Sequence, residues 1–253
     1  MKALTIARYC WLEAIRTKYV WSLIGILLVL LTASFFVRSI AITESVRMQL
    51  GVFAALARFA SVLLITLHVA STSVRQFQDK ETDLLFALDL TRTQYLLGRF
   101  AGYAAVCLAS AAIAGLCAVG LGAGMAALPW AISLGIELML VAALTLFFVV
   151  SFVHIVPAVI FVCGFYLLAR TISALQLISH SPLFATGDSA TAIGQHAVDA
   201  VAWLLPRLDQ FTVTGWLLDA PATYGLGPPA LQATVYIALI LAAALFDLHR
   251  REL

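Results

Sequence analysis

Residues 130–168 read WAISLGIELMLVAALTLFFVVSFVHIVPAVIFVCGFYLL. This run is apolar for too long to be a single crossing of a hydrocarbon layer, which about 20 residues span at 1.5 Å each. His154 and Pro157 interrupt it. It therefore reads as two helices joined by a minimal turn, Trp130–Phe152 and Ile155–Leu177. Working outward, apolar runs of the same kind predict spans over Val20–Val37, Val52–Val74, Phe100–Leu121 and Ala230–Leu248. Period-2 barrel patterning is absent, so the spans are helices. The predicted fold is an all-α polytopic membrane protein: six transmembrane helices in one domain.

Composition leads to the same place. Of 253 residues, 63% are apolar or aromatic and 11% charged, with a mean hydropathy of +1.02. A soluble domain carries about a quarter charged residues, so these charges are too few to cover a water-facing surface. A formal charge of +2 without a basic block gives no footing for nucleic-acid binding. Cys10, Cys107, Cys117 and Cys163 have no paired spacing, hence neither a disulfide framework nor a zinc site.

Ten of the fifteen Lys and Arg residues fall on one side of the six spans, among them Arg8, Arg16, Lys18, Arg75, Arg92 and Arg250. The positive-inside rule makes that side, with both termini, cytoplasmic. The N-terminal apolar run is longer than a signal-peptide core and lacks a clean small-residue cleavage site, so it is read as a retained span.

Three segments lie outside the spans. Over Met1–Tyr19, Leu4, Ala7, Trp11, Leu12 and Ile15 recur at helical spacing while Lys2, Glu13, Arg16 and Lys18 lie largely off that stripe. This predicts an amphipathic helix on the inner leaflet, with a solvated basic lead-in as the plainer alternative. Residues 75–99, RQFQDKETDLLFALDLTRTQYLLGR, form the one polar inner loop of any length. Leu84, Leu85 and Leu88 share a face, and Asp79, Lys80, Glu81 and Asp83 lead into it, giving a short helix whose acidic start suits its positive end. Gly98 and Gly102 open the next span with small-xxx-small spacing, which favours close helix contact. The outer loop, 178–229, is broken by Pro206, Gly215, Pro221, Gly225, Gly227, Pro228 and Pro229. Ile193, Ala197, Val201, Leu204 and Leu205 share one face there, so interfacial or re-entrant helices are expected.

Arg58, His68, Glu137 and His154 fall inside or between spans, where an unpaired charge costs several kcal/mol. Arg58 and Glu137 lie at similar predicted depth, and we expect them to pair. His68 and His154 are read as interfacial histidines satisfied by water, since two histidines without a third ligand make a weak metal site. Met48, Met125 and Met139 form no soft-metal ladder. No metal site is assigned.

Two stretches carry a resemblance. Ile6-Ala7-Arg8 with Leu12-Glu13-Ala14-Ile15-Arg16-Thr17-Lys18, and Glu81-Thr82-Asp83-Leu84-Leu85-Phe86-Ala87-Leu88 with Thr91-Arg92 and Tyr95-Leu96-Leu97-Gly98-Arg99, are similar to the connecting-helix and coupling-loop motifs of ABC transporter permease subunits of the type-2 exporter superfamily. Within it, the chain most resembles the permeases linked to multicopper-enzyme maturation. Asp89 and Thr91 stand where members commonly carry proline and serine. The resemblance implies a transport subunit in the cell inner membrane, not an enzyme. It also implies a coupling helix, made by Asp79, Lys80, Glu81, Asp83, Leu84, Leu85, Leu88, Arg92 and Tyr95, seated on a separate ATPase subunit. A second permease chain, as a homodimer, and ATP with magnesium on the partner rather than here are implied as well. The sequence has no G-x-x-x-x-G-K-[ST] phosphate loop of its own.

Other classes remain open at this point. A membrane-embedded enzyme needs clustered carboxylates or histidines at one interface, and no such set is visible. An ATP-independent secondary transporter needs broken spans and polar groups at mid-depth, for which Arg58 and Glu137 are the candidates. Apolar walls suit an amphipathic cargo, or mechanical work on a protein at the outer face.

Overall fold

The computed structural model describes residues 2–40, 44–79, 90–181, 189–210, 217 and 227–250. Among them are eight α-helices and no strand. They are α1 (Lys2–Arg16), α2 (Tyr19–Ile40), α3 (Ser45–Gln78), α4 (Arg92–Gly120), α5 (Ala127–Phe152), α6 (Ile155–Ser179), α7 (Ser189–Leu204) and α8 (Gly227–Arg250). Short 3₁₀ turns lie at Gly124–Ala126 and Leu208–Gln210. The six helices α2–α6 and α8 are long and apolar enough to cross a bilayer. The chain is an all-α, multi-pass membrane protein.

Local chemistry explains the ends. Thr91 caps α4, its hydroxyl accepting from the Gln94 N–H at 3.3 Å. The α4 helix stops at Gly120, and Gly122 and Gly124 take left-handed φ of 99° and 56° to turn the chain into α5. The α5–α6 turn is residues 153–154, with Val153 itself left-handed at φ 55°. Pro157 sits in the first turn of α6, where a missing N–H breaks no helical hydrogen bond.

Helices outrun the apolar stretches that predicted them, most of all α3 and α4. Residues 75–78 and 92–99, expected in a polar loop, are the ends of these two helices. Helix propensity and the cap continue the hydrogen-bond ladder past the apolar run, so hydropathy alone sets the boundaries too short.

The α5 helix is the central post: 72% of its apolar stretch is buried, against 17% for α2 and α8. Those two leave large side chains outward, such as Phe36 and Leu239, for lipid or another chain. Side-chain bonds tie α1, α3, α4, α5 and α8 together at one end, from Gln76 to Glu13, from Arg92 to the Leu248 carbonyl and from Ser151 to Asp247. We call this the terminal side.

The α1 helix leaves most of its expected apolar stripe outward and packs by its small residues, Ala7 of that stripe among them. Its Ala7–Cys10–Ala14 face packs on α4, where a Cβ added to Gly102 would meet Cys10 Cβ at 2.5 Å and the Ala7 carbonyl oxygen at 2.9 Å. Leu4, Trp11, Leu12 and Ile15 stay exposed, while Glu13 turns inward. Small residues set the contact because they let backbones approach. The expected face of α7 is divided between the bundle and the outside. Ala202 and Leu205 are buried, whereas Ala197, Val201 and Leu204 are exposed.

Candidate functional site

Two buried polar clusters stand out, one deep among the spans and one at the terminal side.

The deep cluster centres on Glu137 of α5. Arg58 of α3 forms an ion pair with its Oε2 and donates to Ser133 Oγ at 3.0 Å. Tyr166 of α6 donates its hydroxyl to Glu137 Oε1 at 2.8 Å, and Arg170, one turn further on, donates to the Tyr166 oxygen at 2.8 Å. Arg170 also comes within 4.0 Å of Glu137 Oε1. Trp130 lies under the Arg58 guanidinium at 5.5 Å, and Phe59 under that of Arg170 at 4.5 Å. One carboxylate thus holds two cations and three spans together. Both oxygens are bonded and both guanidiniums stack on rings, which is the satisfaction that a charge group in apolar surroundings requires.

Arg58 and Glu137 were expected to pair at one depth, and the helices bring them together. Arg170, Tyr166 and Ser133 were not anticipated. Their signal lay in the hairpin arithmetic. Glu137 stands fifteen residues before Phe152 and Arg170 fifteen after Ile155. A minimal turn then sets both about 22 Å along their axes from it, at one height.

The terminal-side cluster centres on Arg99 of α4, which is buried. It donates to the Gln76 side-chain oxygen and Tyr103 hydroxyl, and to Ser73 Oγ at 3.1 Å. Glu13 of α1 supplies the counter-charge at 3.9 Å. Tyr103 is further hydrogen-bonded to Thr72 at 2.8 Å. A cleft of about 500 Å³ opens here between α1, α3 and α4, reaching Tyr9, Cys10, Glu13, Gln76, Tyr95 and Arg99. Burial pushes the Cys10 thiol pKa up, against the pull of nearby Arg99. Arg99, expected in the polar inner loop as the end of the Tyr95–Arg99 motif, lies instead inside the bundle. Helix α4 starts eight residues earlier than its apolar run, and this draws Arg99 into the bundle.

His68 also differs from its expected place at a wet interface. It is buried, with its ring 4.5 Å from that of Tyr19 and 6.1 Å from that of Tyr103. His154, at the α5–α6 turn, is exposed.

The sequence matches no protein-family model, and no curated protein matches it. The site therefore has to be read from its own residues.

Of the expected coupling set, Lys80, Glu81, Asp83, Leu84, Leu85 and Leu88 lie outside the described residues. The flanking members are placed. Asp79 ends α3, its N–H donating to the Arg75 carbonyl at 2.8 Å. Arg92 begins α4 and donates to the Leu248 carbonyl of α8. Tyr95 is buried with Val150 and Leu248, so its side chain belongs largely to the bundle.

Proposed function

We propose that this chain is the membrane-spanning permease subunit of an ATP-driven ABC transporter, moved by a separate ATPase subunit that carries ATP and magnesium. The observation that carries the reading is the Arg99 cluster at the base of residues 79–91. Gln76 and Ser73 sit near the end of α3, Arg99 and Tyr103 on the first turns of α4, and Glu13 on α1. A force applied to the connector between α3 and α4 reaches three helices at once through these bonds. A slack tether would have no need of a buried cation at its root. The residue motifs of the N-terminal helix and of 81–99 support the same reading. They also favour a second copy of the chain as partner and a cell inner membrane with cytoplasmic termini.

The coupling is mechanical in this reading. Closure of the ATPase pair displaces the connector, and the spans pass between two arrangements whose populations the nucleotide biases. The cargo is amphipathic, or the output is work on a protein at the outer face.

The test is co-purification of the tagged chain with its ATPase, followed by ATPase assays in proteoliposomes. Reversing charge at Asp83 and Arg92 is expected to abolish stimulation of hydrolysis while membrane insertion persists. Undiminished stimulation would reduce the connector to a tether.

A second reading rests on the deep cluster. A buried carboxylate between two guanidiniums suits an ATP-independent secondary transporter of an anion or proton. Flux driven by a proton gradient in vesicles free of ATP would favour it.

A further inference from the structure

Where α1 turns into α2, a cleft of about 490 Å³ opens between that turn and α3. Arg16 and Lys18 of the turn and Arg75 of α3 line it, all three exposed. Among the described residues that line it, Glu13 is the one carboxylate, and it already faces Arg99 and Gln76. The cleft is therefore electropositive. Leu64, Leu67 and Ile155 give it an apolar wall beside several serine and threonine side chains, with Leu67 49% exposed. Such an arrangement, cations at the level of the span ends and apolar wall below them, matches the two halves of an anionic lipid.

Two details separate this cleft from an ordinary basic rim. His68 lines it at 7% exposure, and its Nε2 has no hydrogen-bond partner among the described residues. A buried ring nitrogen without a partner is costly, and a phosphate or ester oxygen entering the cleft would supply what it lacks. Lys18 holds a left-handed backbone at φ 61°, which side chains other than glycine seldom adopt. Glycine would turn the chain there with less strain, yet the position carries a cation that lines the cleft.

We propose that this cleft binds the phosphate of an anionic glycerophospholipid from the terminal-side leaflet, with Arg16, Lys18 and Arg75 about the headgroup and an acyl chain along Leu64 and Leu67. The lipid fastens the α1–α2 turn to α3. This inference stands whether or not an ATPase moves the chain.

The experiment is native mass spectrometry of the full chain released from micelles doped with equal amounts of dioleoylphosphatidylglycerol and dioleoylphosphatidylcholine. One phosphatidylglycerol per chain is expected to be retained in preference. Lys18→Gln with Arg75→Gln should lower that retention about tenfold or more, since each cation near a lipid surface contributes several-fold. His68→Phe should lower it while both charges remain, and Arg250→Gln, a cation elsewhere on the terminal side, should not. If the double variant misfolds, Arg75→Gln alone decides, because that side chain is exposed. Equal retention of the two lipids, retention unaffected by the charge substitutions, or displacement of phosphatidylglycerol by millimolar inorganic phosphate would each overturn the proposal, the last by showing free phosphate as the ligand.

Discussion

Glu137 and Arg170 stand at equal distances from the α5–α6 turn, and their side chains approach to 4.0 Å with the Tyr166 hydroxyl bonded to both. With Arg58 on the opposite oxygen, the carboxylate belongs to a group of net charge +1 enclosed by α3, α5 and α6. Removing Glu137 strands two cations, whereas removing either arginine leaves a neutral pair, and this asymmetry governs the first expected outcome.

Glu137→Gln should cost about 3–5 kcal/mol of stability, the usual penalty for stranding a buried partner. Unfolding of the purified chain in neutral detergent would show it as a lowered midpoint. The double substitution Arg58→Met with Glu137→Leu should lose less than the two single changes combined, because it strands one charge fewer.

Gly102→Ala should destabilise by about 1–3 kcal/mol, as overpacking does when neighbours cannot yield. The atoms its Cβ would meet include the Ala7 carbonyl oxygen, backbone that moves only if α1 moves. Gly25→Ala is the control. Nothing lies within 4 Å of its Cβ, so stability should hold or rise by up to about 1 kcal/mol.

Thiol labelling should report the same contact. Thiolate is the reactive form, and burial holds the Cys10 pKa above its ordinary value. In a chain whose other three cysteines are alanine, maleimide labelling of Cys10 should stay slow near neutral pH and accelerate only in more alkaline solution. Adding Gly102→Ala should speed labelling at neutral pH by loosening α1 from α4.

Val153→Gly should stabilise the chain by roughly 1 kcal/mol, since a β-branched residue at φ 55° carries the strain that glycine lacks. Thermal unfolding in detergent would register a raised midpoint. An unchanged or lowered one would mean that the valine side chain returns more in packing than its backbone costs.

The periodicity and length of the apolar runs suffice to predict six crossings, because in lipid each span must close its own backbone hydrogen bonds and needs no distant partner to do so. One turn was legible for a similar reason. Pro157, which marks the α5–α6 turn, acts through its own backbone. Helix ends were not, since the Thr91 cap and the ladders beyond the apolar stretches count for nothing on a hydropathy scale.

Rotation about each helix axis is another matter. The α1 stripe read from Leu4, Trp11 and Ile15 is left outward, and the smaller Ala7 and Cys10 meet Gly102 of α4. Beside a bilayer an apolar stripe can face lipid as well as protein, so hydrophobicity alone does not choose the face that meets the bundle; close packing of small residues does. The same holds for charge. Residue types alone marked Arg58 and Glu137 as costly and in need of partners. Only the assembled bundle decided that Tyr166 and Arg170 complete the group, and that Arg99 is drawn in from the expected loop, because those bonds join residues far apart in the chain and exist once three helices stand side by side.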